Sequence, residues 1–212
     1  MQNNLMDVEQ RVKRYWYEDG IAEIAVGLVF IVLGAFFGVQ GFFGEDSRVG
    51  VILQMSMIVV MLGSVFGTQW LVKTLKSRLT YPRTGYVEYR AKDKEMTQRR
   101  LIVVGVGLVV AIASFVLVSF VREVDSMVLV SSILVGVIFI LLRGKSSGVV
   151  RFYYFGGLSF ILGIALSFNS MTRLYNLGLF YGLLGLVIFI SGVLVLRQYL
   201  RENPMPAEGD DE

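Results

Sequence analysis

Apolar residues gather into six long runs, at 21–40, 49–70, 101–121, 127–142, 149–168 and 175–196, separated by polar or basic stretches. A helix rises 1.5 Å per residue, so about 20 apolar residues cross roughly 30 Å of hydrocarbon. The pattern predicts an all-α integral membrane protein with about six transmembrane helices. The fourth run is the shortest and the fifth carries Arg151 near its start. An arginine there can snorkel to the headgroups, and a re-entrant pair at runs four and five stays open.

The polar stretches sort into two kinds. Those at 41–48, 122–126 and 169–174 are short, which predicts three antiparallel hairpins. The others are basic. The stretch 5–17 places Leu5, Val8, Val12, Tyr15 and Trp16 on one helical stripe, with Asp7, Arg11, Lys13 and Arg14 elsewhere. It predicts an amphipathic helix lying on the membrane face, either an anchor or a helix that docks a partner or senses lipid. The mixed charges of the first 20 residues do not fit a cleavable signal. The segments are then 1–20 amphipathic, 21–70 the first hairpin, 71–100 a basic loop, 101–202 helices three to six, and 203–212 an acidic tail predicted to be disordered.

Composition strengthens this picture. Of 212 residues, 55% are hydrophobic and 17% charged, against about 25% charged in a typical soluble domain. The mean hydropathy is +0.64. Of the 20 Lys and Arg, 17 fall on the side that holds both termini and the 71–100 and 143–151 connections. Positive-inside bias then puts both ends in the cytoplasm, in the cell (plasma) membrane. The partners implied are the bilayer and its anionic headgroups, with a second copy or another membrane protein as further candidates, and no nucleic acid.

The chain has no Cys and no His. That removes His- or Cys-based nucleophilic mechanisms and thiolate or imidazole metal sites. No Walker, dinucleotide or EF-hand pattern is present, so no cofactor, metal or catalytic residue is assigned.

Four features carry chemistry. Glu23 is the one carboxylate inside a predicted span. An intramembrane acid is a candidate proton or cation site, but near a helix start it also complements the dipole, with a cation of the 71–100 connection as its partner. The helix-capping role is the favoured one. Within the basic loop, Thr80-Tyr81-Pro82-Arg83-Thr84-Gly85-Tyr86-Val87-Glu88-Tyr89-Arg90 predicts a turn at Pro82 and Gly85, followed by a short extended segment. Tyr81, Pro82, Arg83, Gly85, Tyr86 and Arg90 form the candidate recognition element. Gly34 and Gly38, Gly63 and Gly67, and Gly178 and Gly182 form GxxxG pairs, which serve packing within the bundle or between copies. Serines in the spans, Ser56, Ser64, Ser132, Ser159 and Ser167 among them, either line a solute path or bond to helix carbonyls.

The Thr80–Arg90 run, with Tyr15-Trp16-Tyr17-Glu18-Asp19-Gly20 before the first span, resembles a family of uncharacterised prokaryotic multi-pass membrane proteins. The resemblance implies the same fold and location and supplies no activity. A fainter internal likeness links Arg14–Gly20 to Arg151-Phe152-Tyr153-Tyr154-Phe155-Gly156-Gly157. It reads as a duplication or as the shared needs of two helix entries. The functional expectation is a non-catalytic structural or interaction component of the membrane. The alternatives are a small dimeric transporter or channel using Glu23, and an enzyme acting on lipid headgroups.

Overall fold

The computed structural model describes residues 17–44, 47–84, 126–144 and 148–204. Among these residues all regular structure is helical: α1 (Ile21–Phe43), α2 (Arg48–Leu75), a π-helical turn (Lys76–Thr80), α3 (Tyr81–Thr84), α4 (Ser126–Val137), a π-helical segment (Ile138–Gly144), α5 (Arg151–Ser167) and α6 (Arg173–Glu202). Three helices are long and apolar enough to cross a membrane: α1, α6, and α2 with its π extension to Thr80. The expected amphipathic helix (but for Tyr17), the span at 101–121 and nearly all of the acidic tail lie outside the described residues.

The tightest pair is α1 against α6, the first and last of the predicted spans, and not a consecutive hairpin. Small residues permit it. Along α1, glycines recur every seventh residue at 20, 27, 34 and 41, and along α6 at 178, 185 and 192. A Cβ on Gly27 would come within 2.6 Å of the Phe189 amide nitrogen, one on Gly41 within 2.7 Å of that of Tyr175, and one on Gly192 within 2.7 Å of that of Ile24. The helices therefore run antiparallel with backbones in contact. Gly20 adds a conformational demand, because its φ of 69° is left-handed, a region that strains other residues. Bulk flanks the seam, with Phe180, Leu184 and Ile188 of α6 fully buried and Phe37 stacked on Tyr181 at 5.8 Å.

A second seam joins α4 to α5. A Cβ on Gly136 would meet the Phe160 ring, and one on Gly163 the side chain of Ser132. Ser159 donates to the Ser132 carbonyl at 2.9 Å. Other serines back-bond their own helices: Ser64 to Val60 O at 2.7 Å and Ser167 to Ile164 O at 2.8 Å. Between α1 and α2, Ser47 caps α2 by accepting from Gly50 N–H at 2.9 Å. Between α5 and α6, buried Asn176 donates to the Asn169 carbonyl at 3.2 Å.

The stretch after Trp70 departs from expectation. It continues α2 as helix and runs through the π turn into α3, so Tyr81, Pro82 and Arg83 stand in a helical turn and not in a β-turn. A proline has no amide hydrogen for a helix interior, yet the backbone stays helical through position 82, directly after the π turn. Gly85 and the extended segment at 86–90 lie outside the described residues.

The GxxxG pairs are not equivalent. A Cβ on Gly34 would strike Gly182, with its Cα at 2.6 Å, and one on Gly178 would strike Gly38, with its Cα at 2.8 Å. A Cβ on Gly38 meets nothing within 4 Å, and one on Gly182 only the Gly34 Cα at 4.0 Å. Gly34→Ala and Gly178→Ala should each lower stability by roughly 1–3 kcal/mol, as overpacking does. Gly38→Ala and Gly182→Ala should be neutral or slightly stabilising, since alanine is the better helix former. Thermal melts of the four purified variants in one detergent check this order.

Candidate functional site

The site is built where α1 begins. Gly20 lets the chain turn into the helix while its backbone touches α6, and the turn buries two acids, Asp19 and Glu23, at 1% and 2% exposure. Buried carboxylates need cations and donors, and these come from distant segments.

Asp19 is satisfied on both oxygens. Oδ1 accepts from Ile21 N–H at 3.1 Å. Oδ2 lies 3.0 Å from Lys76 Nζ and accepts from the Thr80 hydroxyl at 3.2 Å. Lys76 and Thr80 open and close the π-helical turn, four residues apart, and both side chains reach the one acid. The lysine is buried as fully as the acid.

Glu23 is paired differently. Arg151 Nη2, from the first residue of α5, lies 2.8 Å from Glu23 Oε1 and donates to the Tyr17 carbonyl at 2.9 Å. That contact is an ion pair at hydrogen-bond distance, with the guanidinium set off the ideal line to Oε1. Oε2 accepts one long bond from the Ser191 hydroxyl of α6, at 3.4 Å. Tyr17 packs edge-on against Phe152 at 5.4 Å, so the two helix entries that resemble each other in sequence also touch.

Several expectations change here. Arg151 turns inward to a buried acid and does not snorkel outward. The carboxylate that accepts an amide at the helix start belongs to Asp19, and Asp19 also takes the lysine from the stretch after α2. Glu23 instead bridges α1 to α5 and α6. Asp19 is a site residue with one signal in the sequence, an acid next to the glycine that opens an apolar run.

Arg83 is engaged within the fold. Its Nη1 donates to the carbonyls of Leu200 and Asn203 at 3.2 and 2.7 Å, closing the C-terminus of α6, where a cation also suits the helix dipole. Of the candidate recognition element, Tyr81, Pro82 and Arg83 belong to this helical corner. Gly85, Tyr86 and Arg90 lie outside the described residues. Gly34, Gly38, Gly178 and Gly182 are at the α1–α6 seam, whereas Gly63 and Gly67 border an open groove between α1 and α2 with Ala25, Val29 and Val60.

Two cavities adjoin the Glu23–Arg151 pair. One, of about 220 Å³, is apolar and aromatic, with Glu23, Val26, Phe30, Val135, Phe139 and Phe152 in its wall. The other, of about 360 Å³, is polar, and Arg151 shares it with Glu18, Gln198, Glu202 and Asn203. No group of three or more acids able to hold a metal ion occurs among the described residues.

Removing one member of a buried ion pair strands the other, at a cost of about 3–5 kcal/mol, whereas an apolar replacement of both costs far less. Lys76→Met should therefore destabilise the protein strongly, and Asp19→Asn with Lys76→Met should recover most of the loss. Unfolding of the single and double variants in mild detergent measures the difference. Compared with known proteins, the chain matches no family model, no curated protein sequence and no solved structure.

Proposed function

We propose that this chain is a non-catalytic component of the cell membrane, crossing it six times with both ends cytoplasmic, and that α2 is the helix through which it meets another membrane helix. The observation that carries the proposal is the exposure of α2. In its most apolar stretch 6% of residues are buried inside the protein, against 50% for α1. Ile52, Met55, Ile58, Val59, Leu62, Phe66 and Trp70 all stand exposed. An exposed face this apolar suits lipid or another helix, and the Gly63–Gly67 groove beside it suits close helix approach.

The crossing number has support in the path of the chain. Thr84 ends at the Tyr17 and Arg151 end of the bundle, through the contacts of Lys76 and Arg83. Ser126 starts α4 at the opposite end, because α4 runs antiparallel to α5 from Ser132 beside Gly163 to Ile140 beside Gly156. Thr84 and Ser126 therefore stand at opposite ends, and the apolar run at 101–121 has the length for one crossing. Lys73, Lys76, Arg78, Arg83, Arg151, Arg197 and Arg201 lie toward the Tyr17 end, with Arg48 and Arg173 at the other. Membership of the prokaryotic multi-pass family that the Tyr-Pro-Arg-Thr-Gly-Tyr run resembles is part of the same proposal. The Arg83 guanidinium serves the α6 carbonyls, which supports a structural role for it over one on lipid headgroups.

A photo-crosslinking residue at position 62, activated in native membranes, should give an adduct with a second polypeptide, either another copy or a different protein. The same residue at the buried position 180 should give only internal adducts. Adducts from position 62 that map solely to residues 101–121 of the same chain would overturn the docking role. Orientation is tested separately, since the chain is free of cysteine. Ser170→Cys should react with an impermeant maleimide added to intact cells, and Glu202→Cys should not; the reverse pattern contradicts the assignment.

A further inference from the structure

We propose that the apolar cavity beside Glu23 is a binding site for a small lipophilic amine, taken as its ammonium ion, and that Arg151 is the group the ligand displaces. The inference is independent of which helix meets α2.

The cavity joins features that recognise such a cation. Its wall holds one carboxylate, 2% exposed, whose partners are the Arg151 guanidinium at 2.8 Å on Oε1 and the Ser191 hydroxyl at 3.4 Å on Oε2. A carboxylate offers about four acceptor positions, so Glu23 has capacity for an N–H donor from the cavity side. The rest of the wall is hydrocarbon and phenyl ring. Phe139 lies 6.2 Å from Phe152 and 6.4 Å from Phe30, centre to centre, and ring faces attract cations once these leave water. An anion would meet Glu23 unfavourably, and a neutral hydrocarbon would leave the acid facing oil. At about 220 Å³ the cavity exceeds the roughly 150 Å³ that holds benzene and falls below the roughly 300–1,000 Å³ of drug-sized pockets. It fits one ring or short alkyl arm with a primary ammonium head.

Arg151 makes exchange feasible. It sits between the two cavities, with its ion pair to Glu23 on one side and the polar cavity on the other. That polar cavity carries the carboxylates of Glu18 and Glu202. When the ammonium takes Glu23, the guanidinium turns toward these acids, and no buried charge is stranded. Occupancy of the inner cavity is thereby transmitted to the polar surface where α5 begins and α6 ends.

The test uses the full chain in phosphatidylcholine nanodiscs with radiolabelled 2-phenylethylamine, and empty discs as the blank. Saturable binding is expected, with 2-phenylethanol and 3-phenylpropionate failing to compete. Val135→Phe, which fills the cavity and leaves the ion pair in place, should weaken binding by about tenfold or more, as should Glu23→Gln. Because Glu23→Gln strands Arg151 and risks misfolding, Arg151→Met provides a second arm. It leaves a buried acid in want of a cation, so the amine should raise its melting temperature more than that of the wild type. The proposal is overturned by binding no greater than to empty discs, by equal competition from the alcohol, by unchanged affinity in Val135→Phe, or by an amine-induced shift in Arg151→Met no larger than in the wild type.

Discussion

Two carboxylates within five residues, Asp19 and Glu23, are buried at the mouth of α1, and most of the described architecture answers to them. A charge removed from water must be met by an opposite charge or by hydrogen bonds. Asp19 draws in Lys76 and Thr80, which fastens α2 and its π-helical turn to α1. Glu23 draws in Arg151 and Ser191, which fastens α5 and α6. The hydrophobic effect has no preference among apolar helices within lipid. Charges this specific supply register that greasy surfaces cannot.

The glycine seam is the geometric condition for those pairs. Gly20 places the acids, and its approach to Gly192 of α6 leaves no room for a side chain. The seven-residue repeat keeps the same face of α1 on α6 along its length, so the first and last helices hold each other. The short turns that precede α2 and α6 connect antiparallel neighbours, but they do not choose the tightest partner among the described helices. Small surfaces choose it, because backbone contact maximises dispersion where burial from water is not at stake.

The two ion pairs differ in kind. Asp19 and Lys76 are both fully enclosed and well supplied with partners, as befits a permanent clasp. Glu23 is enclosed, yet its partner Arg151 remains 31% exposed and divides its donors between the acid and the Tyr17 carbonyl. This pair stands between an aromatic cavity and a polar one, with Glu23 in the wall of the first and Arg151 in that of the second.

The sequence by itself determined the helices. The runs starting at 21, 49, 127, 149 and 175 became α1, α2, α4, α5 and α6 to within a few residues at their starts, because length and hydrophobicity are local properties. The seven-residue glycine spacing is equally local, and the GxxxG pairs Gly34–Gly38 and Gly178–Gly182 each hold one member of it. Glu23 was legible as unusual for the same reason, since one carboxylate in an apolar run stands out without any structure. Its partner was not legible. Arg151 is 128 positions away and sits at a helix end, where an arginine reads equally well as a lipid anchor. Only the tertiary structure decided that it turns inward, that Asp19 rather than Glu23 takes the lysine beyond α2, and that Arg83 closes α6 instead of facing a partner. Composition and periodicity are written residue by residue, whereas the pairing of buried charges depends on which helices the backbone allows to touch.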